Sequence, residues 1–317
     1  MNVDGFRRDI LAEPAGLRSL SAAYAAPGSP LERVPVRPRV LFLGMGSSRY
    51  AAMPAVSLLR AAGVDAHAEQ ASAGIFQPPS ADTLVVAISA GGRSPETLAA
   101  AARHAGGNLV AVTNDPASPL AQLTGTTLPL GAGDELGGIA CRTYQATVAV
   151  LLLLCSRLAG YGAVASDLEA AAAVQERLFA TEEAWLPALA DAVAGGAGVW
   201  VAAPAERIGS AMQAALMLRE APRIVAAACE TGDWSHVDVY LTKRPGYRLL
   251  LLAGSEYEAE LRDWQRKRGF TLVAVGGGVP GAAVEVAHGA RGVAQTALVE
   301  ISVVELLAAE LWRRHPI

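Results

Sequence analysis

A strand–helix rhythm that occurs twice constrains the fold of this chain more than any other feature. Val40-Leu41-Phe42-Leu43, Leu84-Val85-Val86-Ala87-Ile88 and Leu109-Val110-Ala111-Val112 are short, unbroken apolar runs. Helical segments follow the first two, from about Ala51 to Ala62 and from Pro95 to His104, where Pro95 sits at a favoured first-turn position. Continuous apolar strands alternating with helices predict a parallel sheet covered on both faces. Half the chain later the pattern returns as strand Val199 to Ala202, helix Gly209 to Glu220, and strands Arg248 to Ala253 and Thr271 to Val275. The echo reaches individual residues, since Asn108-Leu-Val-Ala-Val-Thr113 matches Thr271-Leu-Val-Ala-Val-Gly276 and Ala52-Met-Pro-Ala55 matches Ala211-Met-Gln-Ala214. Repetition at this spacing predicts a duplicated domain. The expected fold class is α/β, with two tandem flavodoxin-like or Rossmann-like lobes, each a parallel sheet flanked by helices.

The expected divisions are an N-terminal helix and connector over 1–36, a first lobe over 37–162, a linker helix over 163–194 and a second lobe over 195–317. Phe6, Ile10 and Leu17 recur at helical spacing up to about Tyr24, with Pro14 breaking or kinking the run. The Pro-rich stretch from Pro27 to Pro38 reads as the connector, and a helix from Gln295 to Arg313 closes the chain.

With 317 residues the chain has enough length for two cores. Apolar residues at 52% and charged residues at 18% exclude disorder. A net charge of −4 without any lysine- or arginine-rich run argues against a nucleic-acid partner. Cys141, Cys155 and Cys229 fit neither a metal motif nor a disulfide framework, so no metal is expected and a reducing cytoplasm is the simplest setting. The N-terminus lacks a signal-peptide core, and the apolar run from Val148 to Cys155 is far too short to span a bilayer, so no membrane partner is expected. That run reads as one buried helix.

Ligands of doubly wound folds sit at the carboxyl ends of the strands. Two loops there are rich in glycine and serine: Gly44-Met45-Gly46-Ser47-Ser48 and Ser89-Ala90-Gly91-Gly92-Arg93-Ser94-Pro95-Glu96-Thr97. Glycine lets backbone approach a ligand, amides at a helix start carry a positive field, and serine hydroxyls donate. Together these features suit a phosphate monoester. A plain turn with an N-cap serine accounts for either loop alone, but two of them at adjacent strand ends favour a phosphate site. Neither loop completes a dinucleotide-binding G-x-G-x-x-G, and no Gly-Lys-Ser/Thr of a nucleotide triphosphate loop occurs. A third loop, Gly133-Asp134-Glu135-Leu136-Gly137, precedes a helix beginning near Arg142, and Glu135 is suited either to sugar hydroxyls or simply to the helix start. In the second half, Glu220 ends an apolar helix and His236 follows in Gly232-Asp-Trp-Ser-His236. A partly buried acid can be a general base and a histidine a proton shuttle, although a surface glutamate and a loop histidine would read the same way.

These residues together resemble the sugar isomerase (SIS) domain family over nearly the whole chain. The closest pattern is the isomerase half of glucosamine-6-phosphate synthase and its relatives, including fructosamine-phosphate deglycases and amino-sugar-phosphate isomerase/deaminases. Phe6-Arg-Arg-Asp-Ile-Leu-Ala-Glu-Pro14 looks like the family's opening helix, Gly44 to Ser48 like its G/A-x-G-T/S-S loop, and Ser89 to Thr97 like its S-x-S-G-x-T-x-D/E-T loop. The resemblance implies phosphate binding by Ser47, Ser48, Ser89 and Ser94, with the Gly46, Gly91 and Gly92 backbone and Arg142 also on the substrate. It implies Glu135 on the sugar, Glu220 moving the proton between sugar carbons, and His236 opening the ring. In the family that histidine enters from the partner subunit, so a homodimer with its site at the subunit interface is expected.

The sequence also departs from the synthase pattern. Ala90 and Gly91 stand for a glutamine and a serine, Ala140 for a serine, Arg142 for a lysine, and Met217 for a lysine in the helix that carries Glu220. The synthase's C-terminal tail and its glutaminase domain have no counterpart, so no glutaminase activity is expected. Two readings stay open. One is a cofactor-free enzyme acting on a phosphorylated sugar or amino sugar, by aldose–ketose isomerisation or by deamination or deglycation. The other is a phosphosugar sensor that binds with the same loops and catalyses nothing.

Overall fold

A computed structural model describes residues 1–315 of the chain. The strands are β1 (Arg39–Gly44), β2 (Asp65–Gln70), β3 (Thr83–Ile88), β4 (Asn108–Thr113), β5 (Thr126–Pro129), β6 (Val199–Ala203), β7 (Ala226–Glu230), β8 (Arg248–Leu252), β9 (Thr271–Val275) and β10 (Val284–Val286). The helices are α1 (Val3–Leu11), α2 (Glu13–Ala25), α3 (Ser47–Ala61), α4 (Pro95–Ala102), α5 (Pro119–Gln122), α6 (Arg142–Ala159), α7 (Val164–Ala180), α8 (Leu186–Val193), α9 (Ile208–Glu220), α10 (Thr231–Trp234), α11 (Glu258–Arg268) and α12 (Gly292–Arg314).

The chain forms two compact units. One comprises residues 12–134 and 142–169, and the other residues 1–11, 135–141 and 170 onward. Each holds one five-stranded, all-parallel sheet. In the first unit the order is β2-β1-β3-β4-β5, and in the second β10-β9-β8-β6-β7. Counted from each sheet's own first strand, both orders are 2-1-3-4-5, the flavodoxin-like arrangement. The duplication expected from the sequence is therefore a duplication of topology.

The chemistry of the strands explains their places. Every residue of β3 is buried, as are five of the six of β1 and of β4, because helices cover both faces of these inner strands. Edge strand β2, Asp-Ala-His-Ala-Glu-Gln, buries a single residue. In the first unit Leu41, Leu43, Val85, Ala87, Leu109 and Leu120 form one apolar cluster. In the second unit Leu249, Leu251, Leu272 and Leu261 pack with Trp234, Tyr247 and Phe270. There the Trp234 indole donates to the Tyr247 hydroxyl at 2.9 Å and Trp200 stacks on Tyr247 with ring centroids 4.5 Å apart. Removing a fully buried leucine such as Leu249 to alanine costs about 2–5 kcal/mol.

The N-terminal helical run breaks at Ala12 rather than at Pro14, which lies in the first turn of α2, where its missing amide costs nothing. The apolar run from Val148 to Cys155 is buried within α6. α12 is long and apolar enough to cross a membrane by length and composition, yet it is mostly buried and packs against α1, α8 and α9 as a core helix.

Candidate functional site

The first unit's sheet reverses its strand order between β1 and β3, and the carboxyl ends of strands at such a switch point are where doubly wound folds bind ligands. Both glycine–serine loops leave from there. Gly46 caps α3 with φ 48° and ψ −126°, a conformation that a side chain strains. Its carbonyl receives the amides of Arg49 and Tyr50 at 3.0 Å, which starts the helix at Ser47, four residues before the sequence pattern places it. Ser47 and Ser48 are thereby set in the first turn, at the positive end of a 15-residue helix. Their hydroxyls, and that of buried Ser89, have no hydrogen-bond partner among the described residues.

The second loop is more constrained. Gly92 has φ 62°, and a Cβ there would lie 2.0 Å from the Ser118 hydroxyl oxygen, so only glycine fits. Its amide donates to the Ser89 carbonyl at 2.9 Å, closing the turn, while Gly91 is exposed with open space around it. Ser94 caps α4: its hydroxyl oxygen accepts from the Thr97 amide at 3.4 Å, and its hydroxyl donates to the Glu96 carboxylate at 2.8 Å. Backbone and Ser94 hydrogen bonds hold the Glu96 carboxyl below its ordinary range. A phosphate taking the Ser94 hydroxyl would displace Glu96 from it. Arg93 pairs with Asp115 at 3.0 Å and is turned to the surface.

Asn114, just beyond β4, links this loop to the start of α6. Its amide donates to the Ala90 carbonyl at 2.8 Å, and its side chain brackets the third loop, donating to the Gly133 carbonyl and accepting from the Ala132 amide, both at 2.9 Å. Arg142, the first residue of α6, donates to the Asp134 carbonyl at 3.1 Å. Thus Gly46, Ser47, Ser48, Ser89, Gly91, Gly92, Ser94 and Arg142 all belong to one unit, and Asn114, which the sequence did not single out, ties the Ser89 loop to Arg142.

Glu135, Glu220 and His236 belong to the other unit, on three separate segments. The segment 135–141 lies tight on α1: an added Cβ on Gly5 would sit 2.5 Å from the Leu136 carbonyl oxygen, and one on Gly137 would sit 2.4 Å from the Phe6 backbone. The Gly137 amide donates to buried Asp9 at 2.8 Å. The Cys141 thiol donates to the Glu135 carboxylate at 3.7 Å. The ligating atoms of Asp9, Glu135 and Cys141 lie within 4.8 Å of one another, the one group among the described residues with the spacing to hold a metal ion.

Glu220 is the last residue of α9 and half-buried. Burial pushes its carboxyl above the ordinary value, and the charge of Arg223 partly opposes this. Met217, one turn earlier, is wholly buried. His236 is exposed just after α10; its amide donates to the Asp233 carbonyl at 2.9 Å, and the buried Trp234 anchors the turn.

The second sheet's strand ends are built differently. The Glu258 carboxylate accepts the amides of Gly254 and Ser255, and Glu285 accepts those of Gly278 and Val279 at 3.1 and 2.8 Å. Buried Arg207 pairs with the wholly buried Glu300. At these two strand ends the chain's own carboxylates accept the backbone amides that an external anion would otherwise use.

Residues 36–157 match the SIS domain model. Glutamine–fructose-6-phosphate aminotransferase (isomerizing) of Aeropyrum pernix is 30% identical over 261 residues, which is 78% of this chain and 40% of that protein. The chain spans two fifths or less of the length of the curated relatives it matches. Among solved structures, the C-terminal domain of glucosamine-fructose-6-phosphate aminotransferase from Francisella tularensis superposes with a TM-score of 0.85 at 16% identity, covering 98% of each chain. Glucosamine-6-phosphate deaminase from Thermotoga maritima gives 0.75 at 17% identity, covering 99% of this chain and 95% of that one. At such identities the superpositions show a shared fold. Residues 36–157 thus carry an SIS domain, within a fold of two flavodoxin-like sheets of the same topology.

Proposed function

We propose that the chain is a phosphosugar isomerase-type enzyme that moves a proton on an open-chain sugar or amino-sugar phosphate, without metal or organic cofactor. The observation that carries this reading is the pair of serine-bearing loops at the β1/β3 switch point, with the hydroxyls of Ser47, Ser48 and Ser89 without a partner among the described residues. In this reading those hydroxyls, the Ser94 hydroxyl and the amides around Gly46, Gly91 and Gly92 hold the phosphate. Anchoring at the phosphate fixes the distant carbonyl carbon for reaction. His236 passes a proton to open the ring, and Glu135 and Arg142 hold the sugar's hydroxyls. Glu220 then takes the proton from the carbon beside the carbonyl, leaving an enediol-type intermediate, and returns it to the neighbouring carbon. A raised carboxyl basicity suits a group that must both accept and release that proton. The same proton transfer serves aldose–ketose isomerisation and deamination or deglycation, consistent with the aminotransferase relative and the deaminase neighbour.

In this proposal residues 37–162 are the phosphate-binding domain and 195–317 the domain of the proton-transfer residues, joined by the linker 163–194. The protein acts in the cytoplasm as a homodimer with its site at the subunit interface. A second reading, a non-catalytic phosphosugar sensor, is favoured by Met217, whose apolar burial removes a side chain that the family uses to handle charge. Calorimetric titration tests the site common to both readings. Fructose 6-phosphate, glucosamine 6-phosphate and fructosamine phosphates are compared with the unphosphorylated sugars. At least one phosphorylated member should bind, and Ser48→Ala combined with Ser89→Ala should weaken it about 10-fold or more. Equal binding of sugar and sugar phosphate, or no effect of the double substitution, contradicts the phosphate site.

A further inference from the structure

The chain contains two lysines, Lys243 and Lys267, and both fall in one corner of the second unit. Lys243-Arg244 closes the helical segment Asp238–Lys243 and precedes β8, while Arg266-Lys267-Arg268 ends α11 and precedes β9. Neither stretch is long, but the fold brings them together. The two segments pack on each other, and Tyr247 meets Phe270 edge-on with ring centroids 5.5 Å apart. β8 and β9 are neighbours in the sheet, so both stretches sit at its amino end, opposite to the strand ends where doubly wound folds take their usual ligands. A surface cavity of about 250 Å³ opens there, lined by Lys243, Arg244 and Arg268 with no acid in its wall. Lys267 and Arg268 are held over the Trp264 ring, 5.1 and 5.3 Å from its centroid.

Among the described residues Lys243, Arg244, Lys267 and Arg268 have no acidic partner. Asp263 of α11 is paired with Arg266, Glu258 and Glu260 stand at the far end of α11, and Asp238 opens the segment that Lys243 ends. Arg248, the first residue of β8, adds a further cation. Its guanidinium donates to the Gly246 carbonyl at 2.9 Å and the Ala192 carbonyl at 3.1 Å, and it too has no acid among the described residues. At the amino end of the first sheet, by contrast, Arg39 is paired with Asp65 at 2.8 Å.

The dipole of α11 accounts for cations in that helix's last turn. It does not account for Lys243 and Arg244, which come from another segment and add like charge. Like charges gathered around one cavity, in a chain of net charge −4, repel one another unless an anion joins them. We propose that this cavity is an anion site, separate from the serine loops, for a small oligophosphate carrying about three or more negative charges. Tyr247 and Phe270 are buried and the Trp264 ring carries two cations, so the site offers charge and no open aromatic face for a base. A free oligophosphate and a nucleoside triphosphate should therefore bind about equally. Phosphate monoesters, with about two charges, should bind about 10-fold more weakly or worse, so this site does not count in a phosphosugar titration.

Reductive carbon-13 methylation of the full chain keeps the lysine charge and gives two lysine signals for NMR, which Lys243→Arg and Lys267→Arg assign. The titration is made at low ionic strength in the Ser48→Ala, Ser89→Ala variant, so that the serine loops do not contribute. Tripolyphosphate should shift the Lys243 signal saturably, at one equivalent per chain, and ATP should match its affinity within about fivefold. Arg244→Gln combined with Arg268→Gln, both exposed positions, should weaken tripolyphosphate about 10-fold or more on the same Lys243 signal. A Lys243 signal that stays still, or an affinity that survives the double substitution, would overturn the proposal and leave the corner as a solvated basic face. A larger preference for ATP would overturn it too, because it requires recognition of a base that this cavity does not provide.

Discussion

The Glu258 carboxylate accepts the backbone amide of Ser255 at 3.0 Å and also that of Gly254, so an acid of the chain fills the strand-end amides of β8. The corresponding strand of the first sheet, β3, runs instead into Ser89, whose hydroxyl has no partner among the described residues. Two copies of one topology thus differ at this strand end, one presenting an unpartnered serine hydroxyl and the other filled by a carboxylate of the chain. Binding should saturate at one phosphosugar per chain rather than two, and Glu258→Gln should leave the affinity within about twofold. Two sites in the calorimetric stoichiometry would contradict the assignment.

Glu220 also affects stability, with a sign fixed by its shift. Its carboxyl is raised above the ordinary value of 4.5 in the fold, so the folded chain binds that proton more tightly than the unfolded chain. The group therefore costs stability at neutral pH, where it is ionised, and the cost disappears as the pH falls through the raised value to below the ordinary one. Glu220→Gln should melt higher than wild type at pH 7, and the difference should shrink toward pH 4. Thermal melts across that range check this, and a destabilised variant at pH 7 would contradict it.

Arg207 and Glu300 form a buried pair whose members are each expensive alone. Burial pushes the Glu300 carboxyl up and the Arg207 charge pulls it back. Arg207→Met should cost about 3–5 kcal/mol because it strands a buried acid, whereas Arg207→Met with Glu300→Leu should cost less than the two single changes summed. Denaturant unfolding of the three variants measures the coupling.

Much of this architecture was legible in the sequence. The inner strands β1, β3, β4, β6, β8 and β9 are covered on both faces and so had to be continuous apolar runs. The edge strands β2, β5 and β10 left no such mark: Asp65–Gln70 alternates polar residues, and Val284–Val286 is three residues long. Both glycine–serine loops were readable because their chemistry is local. Gly5 and Gly137, which allow the segment 135–141 to lie against α1, were not, since each is required by a residue far away in sequence. Nor was the left-handed backbone of Arg223, at φ 59°, because an arginine in a sequence gives no hint of positive φ.

The three cysteines are buried, and burial pushes the Cys155 thiol up to about 12 and the Cys229 thiol higher still, with Asp238 adding to the latter. None is suited to nucleophilic chemistry. A thiol reagent at pH 8 should find no reactive group in the folded chain and three after unfolding. Rapid modification of the native protein accompanied by loss of sugar binding would contradict this.

The most direct test of the account is solvent exchange followed by proton NMR in deuterated water, with fructose 6-phosphate, glucosamine 6-phosphate and fructosamine phosphates as substrates. Deuterium should enter at the carbon beside the carbonyl of at least one of them. Glu220→Gln should slow that exchange about 10²–10⁴-fold while leaving binding largely intact, and His236→Ala should slow it for cyclising sugars more than for open-chain ones. Absence of exchange from every phosphosugar that the wild-type protein binds, or exchange that survives Glu220→Gln unchanged, would contradict the claim that this chain is a proton-transfer enzyme.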